Sequence, residues 1–403
     1  MNLKNLFRAF KHKNYRIFFL GPSISLTGTW MQYVALSWLV YRLTNSPLML
    51  GMVGFFGQMP TFFVTPFAGV LADRHNRRHI LIITQTLAML QAFTLSFLVL
   101  TGKIEVWHIF ALSIVLGFVN SFDIPTRQAF VLEMVGNKED LANAIALNAS
   151  MVNATRLLGP SLAGIFIALW GEGLCFLVNA VSYIPIIISF SMMRTAKIKR
   201  HAPEHKILKE LREGFKYAAS SPSIKYVLLL LGIVSFLAVP YQVLMPIFAR
   251  NIFSGDSRTL GFLMGMAGFG ALCGALVLAG RANTTGLIRI IGISSFGVSF
   301  MIIIFSLSRN LIFSMAVIAF TGFFMMVQMV SSNTVLQTVA SEDKRGRVMS
   351  FYTMAFIGVT PFASLIAGTV AFKIGAPNTL LLCGIFSLFS AFVFERKLSK
   401  IYN

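Results

Sequence analysis

Apolar runs of about 20 residues, set apart by short polar turns, recur from one end of this sequence to the other. A helix of that length rises ~30 Å, the thickness of a bilayer's hydrocarbon core. Of the 403 residues, 56% are hydrophobic and only 12% are charged, about half the charged share of a soluble domain. A water-soluble fold has no way to hide that much apolar surface, and the mean hydropathy of +0.75 says the same. The fold class that follows is an all-α, multi-pass membrane protein.

Reading Gly, Pro and charge as punctuation places twelve spans at 15–42, 47–72, 79–101, 107–131, 141–169, 173–193, 224–252, 259–280, 286–308, 311–338, 346–373 and 377–395. Ile17 to Val40 is too long for the core of a signal peptide, so an uncleaved first span is expected. The net charge of +20 is unevenly spread. Basic residues crowd the first tail (Lys4, Arg8, Lys11, Lys13, Arg16), the loop around Arg77, the mid-chain stretch, Arg345 and the last tail (Arg396, Lys397, Lys400). The alternate loops carry only scattered ones: Arg42, Lys103, Arg250, Arg258, Arg309 and Lys373. This is the positive-inside pattern, and it puts both termini in the cytoplasm. The charge reports topology, so no nucleic-acid partner is implied. The three cysteines, Cys175, Cys273 and Cys383, sit in apolar runs at no metal-like spacing, and neither a metal nor a cofactor is expected.

The longest polar interval, 194–223, separates six spans from six, so the expected organisation is a bundle at 1–193, a cytoplasmic loop at 194–223 and a second bundle at 224–403. Within the loop Ile207, Leu208, Leu211, Phe215 and Tyr217 recur at helical spacing among Lys and Glu. They fit an amphipathic helix on the membrane surface, or a solvated linker helix. The halves also look like repeats. Laid over one another, residues 130–171 and 334–375 agree at Val131/Val335, Leu132/Leu336, Val135/Val339, Ala163/Ala367, Gly164/Gly368 and Gly171/Gly375. Parallel repeats about an axis along the membrane normal build one large transporter architecture, with its binding site between the halves.

Between the second and third spans stands Gly69-Val-Leu-Ala-Asp73-Arg74-His-Asn76-Arg77-Arg78. It strongly resembles the signature loop of the major facilitator superfamily, and span count, central loop and internal repeat extend the likeness over the whole chain. That fold is two pseudo-symmetric six-helix bundles of twelve transmembrane helices. The family pattern has glycine where this sequence has Asn76, a residue that tolerates left-handed backbone better than most. The resemblance implies a cytoplasmic gate motif of Gly69, Asp73, Arg74, Arg77, Arg78 and Asp123. Gly69 permits close helix approach, and Asp73 faces the positive N-terminal end of the eleventh span, near Arg345. Arg77 reaches an acid on the fourth span, for which Asp123 is best placed. The other reading of the arginines is positive-inside charge alone.

The fifth span carries Thr155-Arg156-Leu-Leu-Gly159-Pro160-Ser-Leu-Ala163-Gly164. It looks like the antiporter motif of drug-exporting members, with Thr155 and Ala163 at two expected glycines; ordinary packing of small residues in membrane helices is the alternative. Arg156 sits inside this element. An arginine at mid-membrane costs at least ~2.5–3.5 kcal/mol on insertion scales, so it should face water, an acid or an anionic substrate. The helices that line the cavity in this family offer Trp30, Gln32, Tyr33, Asn120, Tyr241, Gln242, Gln328 and Asn333, neutral and aromatic groups suited to an amphipathic molecule. Each could equally be glue between helices.

Asp123-Ile-Pro-Thr-Arg127-Gln-Ala129, "LANAIALNASMVNATRLLGPSLAG" and "RGRVMSFYTM" are similar to the branch that holds enterobactin-type siderophore exporters and macrolide efflux proteins. What this implies is an inner-membrane, proton-coupled exporter of a small amphipathic molecule, first of all a siderophore. A multidrug or macrolide pump, a lysophospholipid transporter and a non-transporting sensor are the alternatives. The first span lacks the acid many family exporters carry, which leaves Asp123 and Asp73 as candidates for proton coupling. The expected partners are substrate, protons and the lipid bilayer, with the chain a monomer. No metalloprotease or nucleotide-binding motif is present, so no enzyme is expected.

Overall fold

The computed structural model describes residues 8–134, 138–193, 207–281, 286–342 and 344–402. The apolar runs fold as helices, and these end where the chain carries its breakers. In order they are α1 (Lys13–Thr44), α2 (Pro47–Arg74), α3 (Arg77–Leu100), α4 (Val106–Met134), α5 (Lys138–Met192), α6 (Ile207–Ser220), α7 (Pro222–Ala238), α8 (Pro240–Ile247), α9 (Ser257–Ala279), α10 (Leu287–Leu307), α11 (Leu311–Val339), α12 (Arg345–Thr353), α13 (Thr360–Ile374) and α14 (Ala376–Tyr402). No strand occurs among the described residues. Ten helices there are long and apolar enough to cross a membrane. One of them, within α5, is interrupted at Gly171, whose φ of 79° only glycine adopts without strain. Pro240 separates α7 from α8, and a π-helical turn at Phe248–Ile252 follows. A second π-turn, Met354–Gly358, divides α12 from α13. Proline and glycine thus set the bends, because each removes or weakens a helical hydrogen bond.

The chain divides into two compact units. The first takes Met1–Leu43, Phe56–Ala202 and Asp256–Gly261, the second Thr44–Phe55, Pro203–Gly255 and Phe262–Asn403, each counted over its described residues. Two short segments therefore join the unit of the other half of the sequence, and glycine is the reason. In the first unit a Cβ added at Gly261 would stand 2.7 Å from the Gly164 Cα, and Ser257 donates to the Gly164 carbonyl at 3.1 Å. In the second, a Cβ on Gly51 would stand 2.9 Å from the Gly368 Cα. Gly164 and Gly368 are the two positions that coincide in the internal repeat. Helix backbones meet there at a distance no side chain fits, which is how membrane helices gain contact where lipid removes the hydrophobic drive.

The core of the first unit gathers Tyr15, Phe18, Leu81, Phe130, Ile186 and Phe190, all fully buried. Phe130 meets Phe190 edge to face at 5.8 Å. At the glycine bend, Arg42 at the end of α1 pairs with Glu172 at 2.7 Å. In the second unit the Phe248 and Phe305 rings pack at 4.5 Å. There too, α6 docks on α12: Glu213 pairs with Arg347 at 2.9 Å, Phe215 meets Phe351 edge to face, and the Tyr217 hydroxyl accepts from the Ser341 amide. Of the five residues read as its apolar face, the side chains of Ile207, Leu208 and Leu211 lie outside the described residues. The described end of α6 is thus clamped to another helix, while Phe215 stays largely exposed.

Candidate functional site

The signature loop is short because Asn76 caps α3. Its backbone is extended, at φ −71° and ψ 109°, and its side-chain oxygen accepts from the Arg78 amide at 3.0 Å. The left-handed turn expected there is absent. Asparagine acts instead as an N-cap, satisfying one of the amides a helix start leaves unpaired. Arg77 donates to the Ala129 carbonyl at 3.3 Å, and Arg78 to the Ser191 carbonyl near the end of α5. A guanidinium at a helix's C-terminal carbonyls complements the helix dipole. Both arginines therefore fasten helix ends of their own unit. The side chains of Asp73 and Arg74, and Gly69, lie outside the described residues.

Asp123 sits on α4 at 5% exposure and is bonded through both oxygens. Thr84 and Gln85 of α3 donate to Oδ1 at 2.9 and 2.6 Å, and Arg127, one turn on, donates to Oδ2 at 2.5 Å. Asp123 is thus engaged by Arg127 of its own helix, a partner that the sequence reading did not name, and the contact described for Arg77 is the Ala129 carbonyl. The physical reason is reach. The i,i+4 arginine lies on the same helix face, inside the bundle, whereas Arg77 is drawn to the helix end.

The glycine-proline element of α5 is a set of notches. A Cβ on Gly159 would meet the Trp30 Cβ at 2.5 Å, so α1 crosses there with Trp30 seated against the helix. Gly164 receives the start of α9, while Ala163 and Pro160 are buried and Thr155 turns inward to its own helix's Val152 carbonyl. Arg156 is half-buried, its guanidinium 5.5 Å from the Trp30 ring centroid. Tyr33 meets Trp30 edge to face at 6.0 Å.

The remaining polar candidates separate by burial. Gln32 is fully engaged inside the first unit, donating to Gln91 at 3.0 Å and accepting from Asn179 at 2.7 Å. Tyr241 is 1% exposed and accepts from Gln242; Gln328 is 2% exposed and donates to Ser295 at 2.9 Å. Gln32 and Gln328 thus hold helices to one another, while Tyr241 is bonded to its chain neighbour on α8. Asn120, Gln242 and Asn333 are half-buried, Asn333 accepting from Gln337.

One cluster has no forewarning in the sequence. Asp140, at the start of α5, receives Arg8 and, at 3.0 Å, His12, while the Ala9 amide donates to Asn143 and the Tyr15 hydroxyl to the Ala144 carbonyl. The hydrogen bond from His12, then that from Arg8, holds the Asp140 carboxyl below its ordinary range. The segment leading into α1 is thereby tied to α5. A basic tail read only as topology could not reveal a partner so far along the chain.

These features define a class: a helical, multi-pass membrane transporter, glycine-notched, with charges placed sparingly inside. Residues 5–401 match the family model described as transmembrane secretion effector, and the chain belongs to that family of major facilitator transporters. Such proteins are transporters and not enzymes. A staphyloferrin A transporter of Staphylococcus aureus is 25% identical over 384 residues, covering 94% of this chain and 95% of that one. An enterobactin exporter of Escherichia coli O1:K1 / APEC is 25% identical over 357 residues, covering 87% and 83%. Among solved structures, a POT family transporter in complex with 5-aminolevulinic acid superposes with a TM-score of 0.77 at 11% identity, over 96% of each chain. A bacterial homologue of the iron transporter ferroportin, in an inward-facing state, gives 0.69 at 16%, over 95% of this chain and 98% of that one. At such identities these structures speak for the fold alone.

Proposed function

We propose that this protein exports a siderophore across the inner membrane. The observation that carries the reading is the near end-to-end match to two relatives that both handle siderophores. In this reading the chain has twelve spans: the ten apolar helices, with the one in α5 counted twice at its Gly171 bend, plus the 32-residue α1. The halves alternate access to a central site, with both termini cytoplasmic. Asp73 closes the cytoplasmic side against the start of α12. The proton gradient drives the cycle, and the carboxylates that take the proton are Asp123 or Asp73. For Asp123 to do so, its bond to Arg127 must open along with those from Thr84 and Gln85, and because the last two cross from α3, protonation is tied to a rearrangement between α3 and α4.

Inside-out membrane vesicles loaded with purified protein test this. Labelled staphyloferrin A and enterobactin should accumulate when the lumen is made acidic, and a protonophore should abolish the accumulation. Uptake indifferent to the gradient would remove proton coupling. Uptake of a macrolide with neither siderophore moving would overturn the substrate.

A further inference from the structure

Two helices of the second unit, α7 and α14, pack together with their basic ends side by side. The Lys397 ammonium, from α14, stands 5.6 Å from the centroid of the Tyr226 ring on α7. The Lys225 ammonium, from α7 itself, stands 5.8 Å from the same centroid. Arg396 lies over Phe392 at 4.4 Å. Both lysines are exposed, with Tyr226 half-buried between the helices. Glu395, the acid next to them in the chain, turns to α10, where its carboxylate lies against Gly292. Two ammonium groups drawn to one ring repel each other, and at an exposed site the ring offsets only part of one charge. An anion set between them offsets both.

These cations stand at the ends of exposed apolar faces. On α7, Lys225, Leu229 and Ile233 follow one another a turn apart, all exposed. On α14, Leu382, Phe386, Phe389 and Phe392 face outward, and Arg396 continues their row. From Leu382 to Phe392 that face rises about 15 Å, half of the ~30 Å hydrocarbon core and so the depth of one leaflet. Cations at one end of an apolar face one leaflet deep fit a molecule with an acidic head and hydrocarbon tails. We propose that α7 and α14 form a binding site for an anionic phospholipid. Lys225 and Lys397 hold its phosphate, and its acyl chains lie along Leu229, Ile233 and the phenylalanines of α14. A zwitterionic lipid brings an ammonium of its own to the same place and binds less well. The topology proposed above puts the site in the cytoplasmic leaflet, and the site does not depend on which substrate is exported.

Native mass spectrometry of the full-length protein tests this, after delipidation in detergent and titration with phosphatidylglycerol or phosphatidylcholine of the same acyl chains. Wild-type protein should bind phosphatidylglycerol about tenfold or more tightly than phosphatidylcholine. Lys225→Gln and Lys397→Gln should each weaken phosphatidylglycerol binding about fivefold, the worth of one cation at an anionic headgroup, and together should remove the preference. Lys225→Arg with Lys397→Arg keeps both charges, should keep the preference, and guards against a Gln variant that does not fold. Lys103→Gln with Lys373→Gln, two exposed lysines elsewhere, should keep it as well. Equal wild-type affinity for the two lipids, a preference that survives the Gln pair at 225 and 397, or an equal loss in the pair at 103 and 373 would overturn the site. Displacement of the bound lipid by millimolar inorganic phosphate would overturn it too, since the acyl chains would then contribute nothing. None of these outcomes bears on siderophore export.

Discussion

Arg127→Ala isolates the energetics of the buried pair on α4. The substitution strands the Asp123 carboxylate, 5% exposed, without the cation that reaches it at 2.5 Å. Breaking one partner of a buried pair costs about 3–5 kcal/mol, far more than the pair's net worth. Thr84 and Gln85 still donate to the other oxygen, which favours the lower end, about 3 kcal/mol. Neutralising both sides changes the outcome. In Asp123→Asn with Arg127→Ala the amide oxygen keeps a neutral version of the Thr84 and Gln85 bonds and no buried charge remains, so the double variant should lose only about 1 kcal/mol. With Asp123→Asn alone also losing about 1 kcal/mol, the coupling energy from the four-variant cycle is about 3 kcal/mol in magnitude. Reversible unfolding in mixed micelles, titrated with SDS and followed by tryptophan fluorescence, measures it. Additive losses, within about 0.5 kcal/mol, would refute the claim that these two groups depend on each other.

Other consequences are as direct. Gly261→Leu should lower the detergent melting temperature, since its Cβ would press on the Pro160 carbonyl and the Gly164 Cα with only backbone to yield; overpacking of this kind costs about 1–3 kcal/mol. Gly280→Leu, with nothing nearer than its own helix's carbonyls at 3.7 Å, is the control that should leave it unchanged. The tie between Asp140, Arg8 and His12 stabilises only while the carboxylate is ionised. Because that carboxyl is held below its ordinary range, protection of the Ala9 amide from hydrogen exchange should stay constant near neutral pH and be lost as pH falls through the lowered value. Asp140→Asn should expose the amide at all pH values. Asp73→Asn should abolish transport with expression near normal, and wild-type flux in that variant would remove the latch.

The architecture was legible because lipid demands long apolar helices, and the breakers Pro240, Gly171 and Gly375 stand where the chain bends or turns. What an apolar-all-round helix hides is its rotation. Nothing in the sequence separates Gln32, which is locked to Gln91 and Asn179, from Trp30, which meets Arg156 from a helix far away in the chain. The pair Asp123–Arg127 was readable from its i,i+4 spacing, yet the family pattern directed attention to Arg77. Asn76 was weighed for its backbone freedom, when its side-chain oxygen was the property in use. Arg156 was marked by its cost alone, and the structure adds that the partner described for it is the Trp30 ring.

The most direct test of the central claim is mass spectrometry of cells and medium from a strain lacking this protein, grown with iron and without it. Siderophore export predicts that, under iron limitation, one iron chelator accumulates inside the mutant and disappears from its medium, and that the intact gene restores it. Unchanged chelator levels on both sides of the membrane, with a different amphipathic metabolite retained, would contradict the account.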